Sequence, residues 1–299
     1  MKKQLLDLAV ARGKARWLLD EFSMEPSDHL QIDALAHQLG VELVETQLDG
    51  ARAQLVVGPH GARILLSHRL DDPDDRRWSI AHELGHYVLG HPAPPVAELC
   101  APRPTGARNH PHEDAADSFA SEVLMPPAIV AAFCDRAPMT IETPMQLAET
   151  CGVPWTAAAL RITESSWRVC ALVFSQRGRI RWVAPSLPFV MLCGRRFCGG
   201  RPVGPGALAR CFFESGICPE DPELVPASAW IDGCGPEVRI LEHSVANREH
   251  GAVMTILWDP TDMSMTRPAA ATLPFVTAAR DYLLDKLNDE AAAERRSKA

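Results

Sequence analysis

The sequence predicts an α+β fold built from more than one part, on three observations. Apolar residues recur at helical spacing through the first third of the chain, short strand-like runs interrupt them between 41 and 66, and from Val169 onward alternating strands take over. A length of 299 residues, with 46% hydrophobic and 23% charged side chains, suits two domains or three small modules of ordinary globular composition. No apolar run approaches the ~18 residues of a membrane span. The start, Met1-Lys-Lys-Gln-Leu-Leu-Asp7, lacks the apolar core of a signal peptide. A cytoplasmic protein without membrane partners is therefore expected. The net charge of −8 has the wrong sign for a protein whose main partner is a phosphate backbone. Nine cysteines, five of them (Cys193, Cys198, Cys211, Cys218, Cys234) close together in the C-terminal half and none in CxxC spacing, read as free thiols.

Taken in order, residues 4–21 predict a first helix through Leu5, Leu6, Leu8, Ala9, Trp17, Leu18 and Leu19. A second, about 28–39, has Ser27 or Asp28 as its cap and Gly40 as its stop. Val41–Val44, Gln54–Val57 and Ala62–Leu66 read as strands, the last two joined in a hairpin through Gly58-Pro-His-Gly61. Ile64-Leu65-Leu66 either offers its edge to an extended substrate segment or is an ordinary covered strand.

The next helix is the one around which the chain is organised. Arg77–His91 contains His82-Glu83-Leu84-Gly85-His86, with Ser67 and Asp71-Asp-Pro-Asp-Asp75 as capping candidates and Ile80, Leu84, Tyr87 and Val88 as an apolar stripe. Two histidines four apart share one helix face and can reach one divalent ion, while Glu83 can stand beside a metal-bound water without occupying the metal. A helix whose histidines are merely hydrogen-bonded would show the same five residues, so a third ligand decides. The metzincin spacing would need glycine and histidine where Leu89 and Pro92 stand, and His91, five residues after His86, is turned away from the ligand face.

The better third ligand is Glu113, in the predicted helix Glu113–Leu124 that Pro126-Pro127 stops. Glu113 and Asp117 share a face. In zinc peptidases of the thermolysin type a glutamate from a separate helix completes the site, and an aspartate four residues on orients a ligating histidine. The alternative reading makes the pair an acidic first turn that complements the helix dipole. Glu98, His110, His112 and Glu122 are weaker candidates. Tyr87 reads as packing, and no residue suggests itself as oxyanion donor. Zinc is the default ion of a His2Glu set, with manganese and cobalt as alternatives.

Between the two ligand helices runs a long Pro-rich loop, expected to flank the cleft. Ala128–Cys134 reads as a short helix. Pro144–Arg161, with Gly152-Val153 as its turn, then has the helix-turn-helix pattern. It is a poor DNA reader: the second helix offers Arg161 and little else, and Glu142, Glu149 and Glu164 repel phosphate. Direct DNA binding is not expected. Strands follow at Val169–Phe174, Arg179–Val183 (joined by Gln176-Arg-Gly178), Glu237–Leu241 and Val253–Trp258, then a final helix over about 274–288.

The run Ile80-Ala-His-Glu-Leu-Gly-His-Tyr-Val-Leu89 followed by Glu113-x-x-Ala-Asp-x-Phe-Ala-x-x-Val-Leu-Met-Pro126 resembles the ImmA/IrrE family of bacterial metallopeptidases. Length and C-terminal extension are similar to the Deinococcus-type members. The resemblance implies a zincin-like metallopeptidase domain over 1–138, a helix-turn-helix segment over 139–166, a GAF-like α+β domain over 167–285 and a flexible tail over 286–299. It also implies His82, His86 and Glu113 as ligands and Glu83 as the catalytic carboxylate. The implied activity is cleavage of a helix-turn-helix repressor, which switches on a DNA-damage or radiation stress response, with a small-molecule signal acting at the GAF-like domain. The alternative is a non-proteolytic transcriptional regulator that binds DNA through the helix-turn-helix.

Overall fold

The computed structural model describes residues 2–261 apart from 25–30, 49, 60, 93–110, 135, 137, 138, 195, 196 and 198. The proposed caps Ser27 and Asp28, most of the Pro-rich loop, the final helix and the tail lie outside the described residues. The chain divides into two compact units, one of residues 1–129 and 147–158, the other of residues 130–146 and 159–299. Among the described residues no single helix is long and apolar enough to cross a membrane, and no disulfide joins two described cysteines.

In the first unit, α1 (Lys2–Glu21) and α2 (Ile32–Gln38) precede β1 (Val41–Thr46), β2 (Ala53–Gly58) and β3 (Gly61–Ser67). The sheet order is β1-β3-β2, with β1 parallel and β2 antiparallel to β3. Strand β3 buries Ala62, Ile64 and Leu66 and turns Gly61 and Arg63 outward, the period-2 alternation of a half-covered sheet. Because β3 is paired on both sides, Ile64-Leu65-Leu66 has no free edge to offer. Of the two readings the covered strand holds, and the edge packed against the following helix belongs to β2.

Helix α3 (Pro73–Leu89) starts as its sequence dictates. The Asp72 carboxylate accepts from the Asp74 and Asp75 amides at 2.8 and 3.2 Å, Pro73 opens the first turn, and Asp74 and Asp75 place negative charge at the positive end of the dipole. Ser67 is not part of this cap; it closes β3, and its hydroxyl accepts from the Arg69 amide. α4 (Pro111–Leu124) is clamped between α3 and α1. Its Ala115, Ala116, Phe119, Ala120 and Val123 are buried, Arg12 donates to the Ser118 hydroxyl at 2.8 Å, and Arg16 pairs with buried Glu122 at 2.5 Å. Glu122 is thus held by α1 and does not face the histidines as a ligand.

α5 (Pro127–Cys134), α6 (Glu142–Cys151) and α7 (Trp155–Ser165) follow. The turn between α6 and α7 holds Gly152 at φ 58, and Arg77 of α3 donates to the Gly152 and Cys151 carbonyls at 3.0 and 3.4 Å, capping the carboxyl end of α6. A Cβ on Gly152 would come within 3.1 Å of the Arg77 side chain. Arg161, the cation offered for phosphate contact, is only 4% exposed.

The second unit carries a five-stranded antiparallel sheet of order β5-β4-β8-β7-β6, made of β4 (Cys170–Gln176), β5 (Arg179–Pro185), β6 (Glu223–Pro226), β7 (Arg239–Asn247) and β8 (Ala252–Trp258), with α8 (Leu187–Cys193) and α9 (Leu208–Ser215) between. Arg177 and Gly178, both at positive φ, make the tight β4–β5 turn. Val173, Ile180, Phe189, Phe197, Ala209, Trp230, Ile240 and Leu257 are among the residues of its apolar core. Strand β7 continues six residues past the expected Leu241.

Candidate metal centre

Three ligand atoms meet where α3 crosses α4, and a missing side chain makes the crossing close. A Cβ on Gly85 would stand 3.1 Å from Ala116 Cα and O and 3.2 Å from Phe119 Cβ, tighter than ordinary contact. Gly85 thus lets the helix backbones approach until the His82/His86 face of α3 meets the Glu113/Asp117 face of α4. His82 Nε2 lies 3.1 Å from His86 Nε2 and 3.3 Å from Glu113 Oε2, and His86 Nε2 lies 3.6 Å from Glu113 Oε1. All three ligand atoms fall within 4.8 Å of one another, so the group could hold a metal ion. A tetrahedral ion with bonds of 2.0–2.1 Å separates its ligand atoms by about 3.3 Å. The donors therefore fit a small divalent cation in both type and spacing.

Asp117 lies on the other side of the same ring, its Oδ1 2.8 Å from His82 Nδ1. When the ring is neutral and its hydrogen sits on Nδ1, the lone pair of His82 faces Glu113 and His86. Burial would pull the His82 imidazolium down. Hydrogen bonds to Asp117 and Glu113 and the charges of Asp117 and Glu83 outweigh it, and the pKa stands raised at about 10. Glu113 is driven well below the carboxylate range, chiefly by its hydrogen bonds to His82 and His86, against the opposing effect of burial. A cluster of two imidazoles and a carboxylate this close takes up a proton when it has no cation.

Glu83 is not one of the three converging ligands; its carboxylate meets β2. Only 7% exposed, it accepts the Leu55 amide of β2 on Oε2 at 2.7 Å. The edge strand thus spends an outward N–H on this carboxylate and fixes its orientation. Sequence reasoning missed both Leu55 and Gly85. An N–H partner leaves no trace in a strand pattern, but a glycine in the interior of a capped helix is a readable sign of close approach.

His91 corrects the sequence reading. An uninterrupted helix would carry it away from His86, but α3 ends at Leu89. Gly90 adopts φ 68, and the His91 and Gly90 amides return to the His86 and Tyr87 carbonyls at 3.0 and 3.1 Å. This turn folds His91 back until its Nδ1 stands 3.0 Å from His86 Nδ1. His112 stacks on it at 4.2 Å with 13° between ring planes. Burial first, then the neighbouring His86 and His112, hold the His91 pKa down to about 4. Glu98 and His110 lie outside the described residues.

Residues 36–163 match the M78 peptidase family, described as an IrrE N-terminal-like domain. The match spans less than half of the chain and marks residues 36–163 as an ImmA/IrrE-type domain. The match runs from α2 to α7 and so includes His82, Glu83, His86, Glu113 and Asp117; α1 and the five-stranded sheet lie outside it. No curated protein matches the chain. Among solved structures, a Mycobacterium tuberculosis transcriptional regulator is similar at 15% identity over 85% of this chain and 76% of that one, with a TM-score of 0.49. Within this ImmA/IrrE domain, the cluster of His82, His86 and Glu113 is where a metal-dependent peptidase of the family could carry its ion.

Proposed function

We propose that the chain is a metal-dependent endopeptidase, with His82, His86 and Glu113 as its ligands, Asp117 orienting His82, and Glu83 as its acid–base residue. One observation carries this reading: two imidazoles and a carboxylate converge at tetrahedral spacing, and the Glu83 carboxylate, next in sequence to His82, is held by a backbone N–H. A bound ion of the zinc, manganese or cobalt kind would polarise the scissile carbonyl and lower the pKa of its water toward ~7. Glu83 Oε1 takes the proton of the attacking water and hands it to the leaving amine, while the Leu55 amide on Oε2 holds the carboxylate in line. Asp117 keeps the hydrogen of His82 on Nδ1.

The substrate in this reading is a helix-turn-helix repressor, and its cleavage switches on a DNA-damage or stress response of the Deinococcus type. The blocks Ile80–Leu89 and Glu113–Pro126 support that step by resemblance. The antiparallel sheet β4–β8 with its crossing helices supports a GAF-like sensor over 167–285, following the helix-turn-helix segment 139–166 and the peptidase region 1–138. Burial of Arg161 argues against DNA as the direct partner of α7. The test incubates the protein with a candidate repressor, with and without chelator, beside Glu83→Gln. Chelator-sensitive cleavage that is lost in Glu83→Gln, with metal content retained, is expected. Undiminished cleavage by Glu83→Gln would remove Glu83 from the role.

A further inference from the structure

We infer that His91 is a positioning residue for His86: its Nδ1 accepts the hydrogen that His86 carries on Nδ1, which leaves the Nε2 lone pair of His86 facing the ligand cluster. The inference rests on reading that cluster as a metal site. Two imidazole nitrogens 3.0 Å apart attract only when one carries a hydrogen and the other a lone pair. His86 Nε2 is the nitrogen beside His82 and Glu113, so it must keep its lone pair to be a ligand. The hydrogen of His86 therefore sits on Nδ1, and His91 Nδ1 is its acceptor, His91 carrying its own hydrogen on Nε2.

Two independent features hold the acceptor there. The left-handed Gly90 and the two returning amides fix the backbone of His91 over the last turn of α3. His112, in the first turn of α4, covers one face of the ring. His91 thus ties the end of the helix that supplies two ligands to the start of the helix that supplies the third. The two imidazole ligands then have unlike supports: His82 an anionic acceptor in Asp117, His86 a neutral one in His91.

The experiment measures zinc affinity of the full chain by competition with a chromophoric chelator, for the wild type, His86→Ala, His91→Phe and His91→Asn. Phenylalanine keeps a ring to stack on His112 and loses the acceptor. Asparagine loses the ring and keeps an oxygen near the position of Nδ1. Loss of an outer partner of a ligating histidine weakens metal binding by about 10–100-fold, the effect expected for His91→Phe, with His91→Asn near wild type. Proton–nitrogen spectra of the zinc-loaded proteins should show the His86 Nδ1 hydrogen shifted downfield and protected from solvent exchange in wild type, and losing both in His91→Phe, a change that a merely structural role would not produce. Equal affinity of His91→Phe and wild type, or a hydrogen on His86 Nε2, overturns the inference. In that case zinc uptake by wild type and its loss in His86→Ala would leave the metal site standing. Failure of wild type to take up zinc would overturn both.

Discussion

Glycine in a helix interior costs about 1 kcal/mol relative to alanine, yet Gly85 sits between the two histidines of α3, where a Cβ would press on the backbone of Ala116 at 3.1 Å. Gly85→Ala is therefore expected to give no gain in stability. It should weaken zinc binding, because α4 must move outward by tenths of an ångström and carry Glu113 with it; a chelator competition beside a thermal melt reads both. A second prediction concerns protons. With the His82 pKa raised from 6.5 to about 10 in the metal-free site, the ring is protonated at neutral pH. Its stabilising contribution is complete below 6.5 and is lost as pH rises through about 10. A ligating nitrogen must give that proton up. Zinc binding at pH 7 should release about one proton from His82, seen by calorimetry in buffers of different ionisation enthalpy, and Asp117→Asn should reduce that release. That His82, His86, Glu113 and Asp117 come together was legible at this scale, because each pair lies four residues apart on its own helix. His91 was misread because a helix projection does not foresee the reversal at Gly90, and the Leu55 amide was invisible because it is backbone.

Among elements, those with a clean period were legible and those that bury polar groups were not. The hairpin of β2 and β3 and the turn at Arg177-Gly178 follow from their residues. The expected strand stops at Leu241 because the polar run Glu242, His243 and Ser244 breaks the apolar pattern; all three are buried in the sheet. Strand β6 was missed because four residues ending in Pro226, with only Val225 buried, carry no pattern. Glu242 explains why the polar run is tolerated. Ala207 supplies no side-chain cap to α9, and the Glu242 carboxylate takes the Ala209 amide at 2.8 Å, the Trp230 indole at 2.7 Å and the Ser244 hydroxyl at 2.9 Å. Burial raises its pKa above 4.5 in spite of these donors. Its contribution to stability is thus greatest below 4.5 and declines as pH rises through the folded value. In Glu242→Ala the Ala209 and Trp230 donors lose this acceptor, at about 1–3 kcal/mol for each buried group left unsatisfied. Urea titrations should show that loss, together with a flatter pH dependence from 4.5 upward than in wild type.

At the scale of the whole molecule, the sequence announced two textures, and the chain divides into two compact units. What it could not announce is that residues 130–146 group with the second unit and 147–158 with the first. Such a crossing depends on which buried faces meet, and local pattern carries no record of that. The His82, His86 and Glu113 side chains all belong to the first unit, so the free energy of metal binding should be felt there. An ion at 100 times its dissociation constant stabilises the state that binds it by about 2.7 kcal/mol, which slows amide exchange through full opening of that state by roughly 100-fold. Hydrogen exchange with and without zinc should therefore show added protection in α3 and α4, and in α1, whose Arg12 and Arg16 grip α4. The strands β4 to β8 should exchange at unchanged rates, since none of them supplies a ligand. Equal added protection in β8 would mean that the two units open together, and the ion would then act on the stability of the entire chain.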